Sequence, residues 1–171
     1  MRSVSATPST FLAHEALLLA SRPAEERRCH ALHELLETGH ALSHALRTEL
    51  ARASLTESGF RLLACLFRNR SDTLTSSALA DTLHLSTAAL NQLLSRLELS
   101  GLVSRAPAPA GRRALVVSIT AKGAATFQTA ARRLLAATGK LMEPLASSEL
   151  ESLDHACIRL RENLTPSVTP H

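Results

Sequence analysis

The sequence predicts a mainly α-helical protein with one small β-hairpin. Its 171 residues include four Phe but no Trp or Tyr, so the core has to be built from Leu and Ala, which favours helices over sheets. N-cap residues and helix breakers divide most of the chain into helical segments, whereas residues 102–119 show the pattern of strands. A composition of 45% hydrophobic and 20% charged residues is typical of a globular protein.

The first predicted segments are an N-terminal extension and one long helix. Residues 1–22 form the extension, in which the first nine residues are predicted to be disordered and Phe11–Ser21 to be a short helix. Pro23 suits the first turn of a helix that continues to about Arg52. Six leucines form one stripe along it: Leu32, Leu35, Leu36, Leu42, Leu46 and Leu50. Because so long a helix usually packs against a partner chain, residues 23–54 are predicted to be a dimerisation helix.

Three shorter helices follow, each preceded by a Thr or Ser that can serve as its N-cap. They are predicted over Glu57–Arg68 after Thr56, Ser76–Leu83 after Thr75, and Thr87–Ser100 after Ser86. Only His84, Leu85 and Ser86 separate the last two helices. That spacing is typical of a helix-turn-helix, whose second helix can enter the major groove of DNA.

A β-hairpin is predicted directly after the helix-turn-helix. Leu102–Arg105 and Leu115–Ile119 are its expected strands, and residues 106–111, with two Pro and one Gly, its tip. A hairpin that follows the second helix of a helix-turn-helix makes a winged helix. The winged helix-turn-helix lobe is therefore predicted to span residues 55–120.

The C-terminal part of the chain is predicted to be helical again. Thr120 can cap a long helix over Ala121–Met142, and Ser148 and Glu151 have capping-box spacing for a last helix over Glu149–Asn163. The remaining segments are therefore a pair of C-terminal dimerisation helices, residues 121–164, and a disordered tail, residues 165–171. The winged helix is thus flanked by long dimerisation helices on both sides.

Positive charge is concentrated in the winged-helix lobe. The whole chain has 19 Lys and Arg against 15 Asp and Glu, a net charge of +4. Between His84 and Ala114 four arginines stand against one acid, Glu98, so this short segment alone carries +3. Such a cluster is the electrostatic footprint of a surface that binds a polyanion, and a solvated basic face is the alternative.

Several other classes of function lack their motifs in this sequence. The cysteines Cys29, Cys65 and Cys157 form no C-x-x-C pair, which argues against a zinc finger or disulfide scaffold and fits a reducing cytoplasm. No apolar stretch is long enough for a membrane span. A phosphate loop, a G-x-S-x-G motif and facing carboxylates are missing. We therefore expect no enzyme activity, no cofactor and no membrane partner.

Specific short motifs run through the winged-helix lobe. They include Leu55-Thr56, Arg96-Leu97-Glu98 and Gly101–Arg105, and above all Arg112–Gly123, where paired arginines precede a strand that leads into Thr-x-Lys-Gly. With these motifs the sequence resembles the MarR family of bacterial transcriptional regulators, over about Ala31 to Asn163. The resemblance implies a homodimeric repressor that binds palindromic double-stranded DNA and is released by a small-molecule or other effector. A winged-helix interaction or sensor protein that does not bind DNA is the alternative.

The candidate DNA-binding residues lie on the outer face of the second helix of the helix-turn-helix. They are Ser86, Thr87, Ala88, Asn91, Gln92, Ser95 and Arg96. Asn and Gln can bond adenine, Arg can bond guanine, and Ser or Thr can hold phosphate. The leucines of this helix are expected on the opposite face, in the core: Leu90, Leu93, Leu94 and Leu97. An ordinary polar surface is the alternative.

Arg112 and Arg113 are the candidate contacts of the wing with the minor groove. The resemblance assigns the role of the family's wing arginine to Arg113. The family usually has an acid two positions earlier, which braces this arginine, and here that position is Gly111. Arg113 is therefore held in another way or binds more weakly. Solvated loop charges are the alternative for both arginines.

The long N-terminal helix carries a face of possible metal ligands: His30, His33, Glu37, His40 and His44. Pairs at i, i+4 could chelate a metal, but Ala121–Met142 offers no further ligand, so we predict no metal site. Cys29 suggests redox sensing, yet the tyrosines that activate the sensor thiol in peroxide-sensing relatives are missing. The resemblance also implies an effector cleft between the dimer helices and the lobe, with His40, Phe60 and Leu63 as expected lining residues.

Overall fold

The computed structural model describes residues 8–18, 20, 22–70, 74–107 and 115–164, without the side chains of residues 8–11 and 14. The chain divides into two compact units, residues 1–135 and residues 136–171. Several predicted features lie outside the described residues. These are the first seven residues of the extension, the wing residues Gly111, Arg112 and Arg113, and the tail 165–171.

The described residues form seven helices and three short strands. The helices are α1 (Pro8–Leu18), α2 (Pro23–Ala51), α3 (Glu57–Arg68), α4 (Ser76–Leu83), α5 (Thr87–Leu99), α6 (Ala121–Met142) and α7 (Ser147–Leu164). The strands are β1 (Leu74–Thr75), β2 (Val103–Pro107) and β3 (Leu115–Ile119). The predicted class, mainly α with a small β-hairpin wing, is confirmed.

The three predicted N-caps form as the sequence indicates. The hydroxyl oxygens of Thr56, Thr75 and Ser86 accept the backbone N–H three residues later, at 3.2, 3.3 and 3.2 Å. Each cap satisfies a helix N–H that has no partner inside the helix. The helices α3 and α4 accordingly have their predicted bounds, and α5 ends one residue earlier than predicted.

The first and last helices differ from their predicted bounds. The helix α1 begins at Pro8 rather than Phe11 and ends at Leu18, because a proline is tolerated in a first helical turn. It packs against α2, and Ala13 is buried. The helix α7 begins at Ser147, where the carboxylate of Glu149 accepts the N–H of Ala146 at 2.8 Å. The capping residues Ala146 and Glu149 therefore lie two residues before the capping box that the sequence predicts at Ser148 and Glu151.

The sheet contains one strand that the sequence did not indicate. The strand β1 has only two residues, too few to show an alternating pattern, and pairs antiparallel with β3. The strand order is β1-β3-β2, so the hairpin strand β3 is central.

The strand β2 is longer than predicted. It extends through Ala106 and Pro107, which the sequence placed in the hairpin tip, and Pro107 lies opposite Leu115. Because β2 is an edge strand, a proline at its last position removes no essential ladder bond.

Leucines make up most of the core of the unit that spans residues 1–135. Leu62, Leu63, Leu79, Leu90, Leu94 and Val117 are its largest fully buried side chains. The rings of Phe60 and Phe67 lie beside Phe127 of α6, with centroids 5.2 and 4.8 Å apart. Burial of one such leucine contributes roughly 1.5–3 kcal/mol, so helices with few aromatic residues still enclose a stable core.

The first turn of α6 is joined to the backbone that follows α5. Three successive carbonyl oxygens there accept hydrogen bonds. The carbonyl of Ser100 accepts from Nζ of Lys122 at 2.8 Å. The carbonyls of Gly101 and Leu102 accept from the hydroxyl and the backbone N–H of Thr120, at 2.8 and 3.1 Å. A Cβ on Gly123 would lie 1.9 Å from the carbonyl oxygen of Leu102. The Thr-x-Lys-Gly motif therefore has a structural reason: it caps the end of α5 and requires glycine at the closest approach.

The unit formed by residues 136–171 contains α7, which has no buried residue. Several of its apolar side chains are exposed: Leu153, Ile158, Leu160 and Leu164. Five apolar residues of α7 follow one another at alternating spacings of three and four residues: Leu150, Leu153, Cys157, Leu160 and Leu164. This is the apolar pattern of a helix that packs against another helix.

Candidate nucleic-acid interface

A tight turn sets α5 at an angle to α4. His84 ends α4 in the left-handed conformation, at φ 53° and ψ 47°, and its N–H donates to the carbonyl of Asp81 at 3.2 Å. The N–H of Leu85 donates to the carbonyl of Ala80 at 2.9 Å. Ser86 then caps α5, so the three residues His84, Leu85 and Ser86 form the turn of a helix-turn-helix.

The two faces of α5 divide as the sequence predicts. Leu90, Leu93, Leu94 and Leu97 are all buried in the core. The predicted contact residues are all exposed: Ser86, Thr87, Ala88, Asn91, Gln92, Ser95 and Arg96. Four of them, Asn91, Gln92, Ser95 and Arg96, border one shallow, open depression on the surface of the helix. The face thus presents amide donors and acceptors beside one guanidinium, the groups that can read base edges.

The wing is an antiparallel hairpin whose base is described and whose tip is not. Val103 of β2 pairs with Ile119 of β3, and Arg105 pairs with Val117. The predicted wing contacts Arg112 and Arg113 lie outside the described residues, so their role stays a prediction. The described hairpin strands follow α5 directly in the sequence.

An ion pair that the sequence analysis missed connects the wing to α5. Arg105 of β2 donates from Nε to Glu98 Oε2 at 2.9 Å, and a second guanidinium nitrogen donates to the same oxygen. These hydrogen bonds lower the pKa of Glu98 below its ordinary value. The sequence gives one indication of this pair: the acid Glu98 lies in the last turn of a predicted helix, and the base Arg105 follows seven residues later, after the glycine turn at Gly101. The contact itself depends on how that turn folds.

The three predicted effector-lining residues have different surroundings. Leu63 is fully buried in the core, and the ring of Phe60 packs against Phe127. His40 is exposed on α2. An effector site at these residues stays a prediction.

The histidine face of α2 gains no support as a metal site. Among the described residues, no group of three or more His, Cys, Asp or Glu side chains is close enough to hold a metal ion. Nδ1 of His30 lies 3.9 Å from Oε1 of Glu34, one turn further along the same helix. Cys29 is partly exposed, and redox sensing there stays a hypothesis.

These features define the class of protein. A capped helix-turn-helix, a polar outer face on its second helix and a hairpin directly after it make a winged helix-turn-helix protein. The MarR family model matches residues 53–114, which contain α3, α4, α5 and β2. The family resemblance of the sequence is thereby confirmed: over these residues the chain is similar to the MarR family.

Three solved structures are similar to this fold. AbsC, a MarR family transcriptional regulator from Streptomyces coelicolor, is 27% identical, with a TM-score of 0.66 over 85% of this chain and 97% of its own. YusO from Bacillus subtilis is 18% identical, with a TM-score of 0.71 over 82% of this chain and 99% of its own. A mutant of MarR from E. coli in complex with operator DNA is 24% identical, with a TM-score of 0.60 over 77% of this chain and 91% of its own. No curated protein matches the sequence.

The apolar segments of the described helices are too short or too often interrupted by charge to cross a membrane.

Proposed function

We propose that this protein is a transcriptional regulator that binds double-stranded DNA in a sequence-specific way. The observation that carries the proposal is the outer face of α5, where all seven candidate residues are exposed and three of them, Asn91, Gln92 and Arg96, suit base edges. The similar structure of E. coli MarR, which is bound to operator DNA, supports it. In this proposal α5 enters the major groove and Arg112 and Arg113 approach the minor groove.

We further propose that the protein acts as a homodimer and a repressor in the cytoplasm. Apolar side chains that one copy leaves in solvent support the dimer: Leu32 and Leu35 of α2 are 50% and 40% exposed, and α7 has no buried residue. Residues 55–120 then bind DNA, and residues 23–54 and 121–164 form the dimer. Release by a small-molecule effector follows from the family resemblance, and His40, Phe60 and Leu63 remain its candidate contacts.

Selection of bound duplexes from a random DNA pool tests the function and the symmetry together. We expect enrichment of a palindrome whose half-sites are about one helical turn apart, because two copies of α5 related by a twofold axis contact successive major grooves. The control is the double variant Gln92→Ala, Arg96→Ala, which should enrich no such sequence. A wild-type protein that enriches no sequence would contradict the proposal and favour a winged-helix interaction protein.

A further inference from the structure

The ion pair between Glu98 and Arg105 joins two elements that would contact DNA separately. Glu98 lies in the last turn of α5, and Arg105 lies in the middle of β2. One carboxylate oxygen accepts two hydrogen bonds from the guanidinium group. The side chains are only 37% and 24% exposed, so this pair is less hydrated than an ordinary surface pair.

The position of Arg105 along β2 makes this pair important for the orientation of the wing. Val103, at the start of the strand, is buried in the core. Beyond it Ser104, Ala106 and Pro107 are exposed, and Arg105 alone is partly buried. Because β2 is an edge strand, it pairs with one strand of the described sheet, β3 of the same hairpin. Among the described residues, the outer half of β2 is joined to the lobe by its pairing with β3, which pairs in turn with β1, and to α5 by the ion pair of Arg105 with Glu98.

The charge of Glu98 would by itself oppose DNA binding. It is the one acid between His84 and Ala114, a segment with four arginines. If Glu98 acted only through its charge, its removal would strengthen binding to a polyanion. If Glu98 positions the wing, its removal would instead weaken DNA binding, because loss of the ion pair would release the wing strand from α5. The two roles are therefore distinguishable by the direction of one measured change.

We propose that Glu98 is a positioning residue, which through Arg105 holds the wing strand β2 at a set orientation to α5, so that both contact the same DNA duplex. The proposal rests on the proposed function, since it concerns how the two DNA-contacting elements are aligned. It adds a pair of residues that do not contact DNA in the proposed arrangement but determine how well the contacting residues fit.

The first test compares DNA binding by Glu98→Gln with binding by Asp81→Asn, on the sequence that the wild-type protein selects. Asp81 is an exposed acid of the same lobe with no ion pair to a described residue, so its removal changes only charge. We expect Glu98→Gln to bind about three- to tenfold more weakly than wild type, whereas Asp81→Asn binds equally or more tightly. The slope of log affinity against log salt should also decrease for Glu98→Gln, because wing contacts are lost.

A second variant, Arg105→Lys, leaves the net charge unchanged. Lysine cannot place two N–H groups in the fork that the guanidinium provides, so we expect it to weaken DNA binding about as much as Glu98→Gln. Thermal unfolding of each variant establishes that the lobe is folded at the temperature of the binding assay. If either variant binds DNA as tightly as Asp81→Asn does, the positioning role is wrong.

Hydrogen exchange tests the same role without DNA. We expect amides of residues 104–106 and 115–117 to exchange about three- to tenfold faster in Glu98→Gln than in wild type, while amides of α4 are unchanged. Unchanged exchange in the hairpin would overturn the proposal. If the wild-type protein binds no duplex, the proposed function fails, and the exchange result still decides whether Glu98 holds the wing.

Discussion

At the scale of single residues, two helical glycines differ in the space around them: Gly123 is crowded by neighbouring atoms, and Gly39 is not. A Cβ on Gly123 would lie 1.9 Å from the carbonyl oxygen of Leu102, whereas Gly39 in α2 has no neighbouring atom within 4 Å. We expect Gly123→Ala to reduce the free energy of unfolding by about 3 kcal/mol, because the first turn of α6 must move away from α5. Gly39→Ala should increase it by about 0.5–1 kcal/mol, since alanine restricts the unfolded chain and favours a helix.

Denaturant unfolding of the two variants, at equal protein concentration, measures both changes. The pair serves as its own control, because the chemical change is the same and only the surroundings differ. A Gly123→Ala protein as stable as wild type would show that α6 does not approach the turn after α5 so closely.

At the scale of the element, α5 and the wing are expected to contribute to DNA binding in different ways. Replacement of Gln92 or Arg96 by Ala should cost about 1–3 kcal/mol per contact on the preferred DNA sequence and much less on random DNA, because these side chains contact base edges. Arg113→Ala should weaken binding to every sequence, because a wing arginine acts mainly through its charge.

Binding curves at several salt concentrations distinguish the two elements. Loss of Arg113 should reduce the slope of log affinity against log salt by about one unit per contact, or about two for a dimer. Gly111→Asp, which restores the family's usual acid, is expected to tighten binding if Arg113 lacks a brace. An Arg113→Ala protein with unchanged affinity and unchanged slope would exclude the wing from DNA contact.

At the scale of the whole molecule, the exposed leucines of α7 predict self-association. We expect light scattering of the full chain at micromolar concentration to give twice the 18.3 kDa mass of one copy. Leu160→Glu, at a site 47% exposed in one copy, should weaken the dimer at least about tenfold, because it places a charge in an apolar interface. Leu99→Glu is the matched control: this leucine of α5 is 90% exposed, lies outside the expected dimer helices and should leave the mass unchanged.

Local patterns were sufficient to predict most of the elements. The caps at Thr56, Thr75 and Ser86 form within one helical turn, so the sequence next to each helix start is enough to place it. The buried and exposed faces of α5 follow in the same way from the helical period. The strand β1 could not be predicted, because its two residues are held by pairing with Val116 and Val117, more than forty residues away.

The helix-turn-helix, the hairpin, the leucine-rich core and the polar face of α5 are all predictable from the sequence, because each depends on contacts within a few residues or on a simple period. The contacts between groups on opposite sides of a turn are visible in the folded chain alone. The fold joins Glu98 to Arg105, and it places Thr120, Lys122 and Gly123 against the end of α5. Such contacts depend on the direction in which the chain leaves each helix, and the backbone angles at a turn such as that of Gly101, with φ 69°, set this direction.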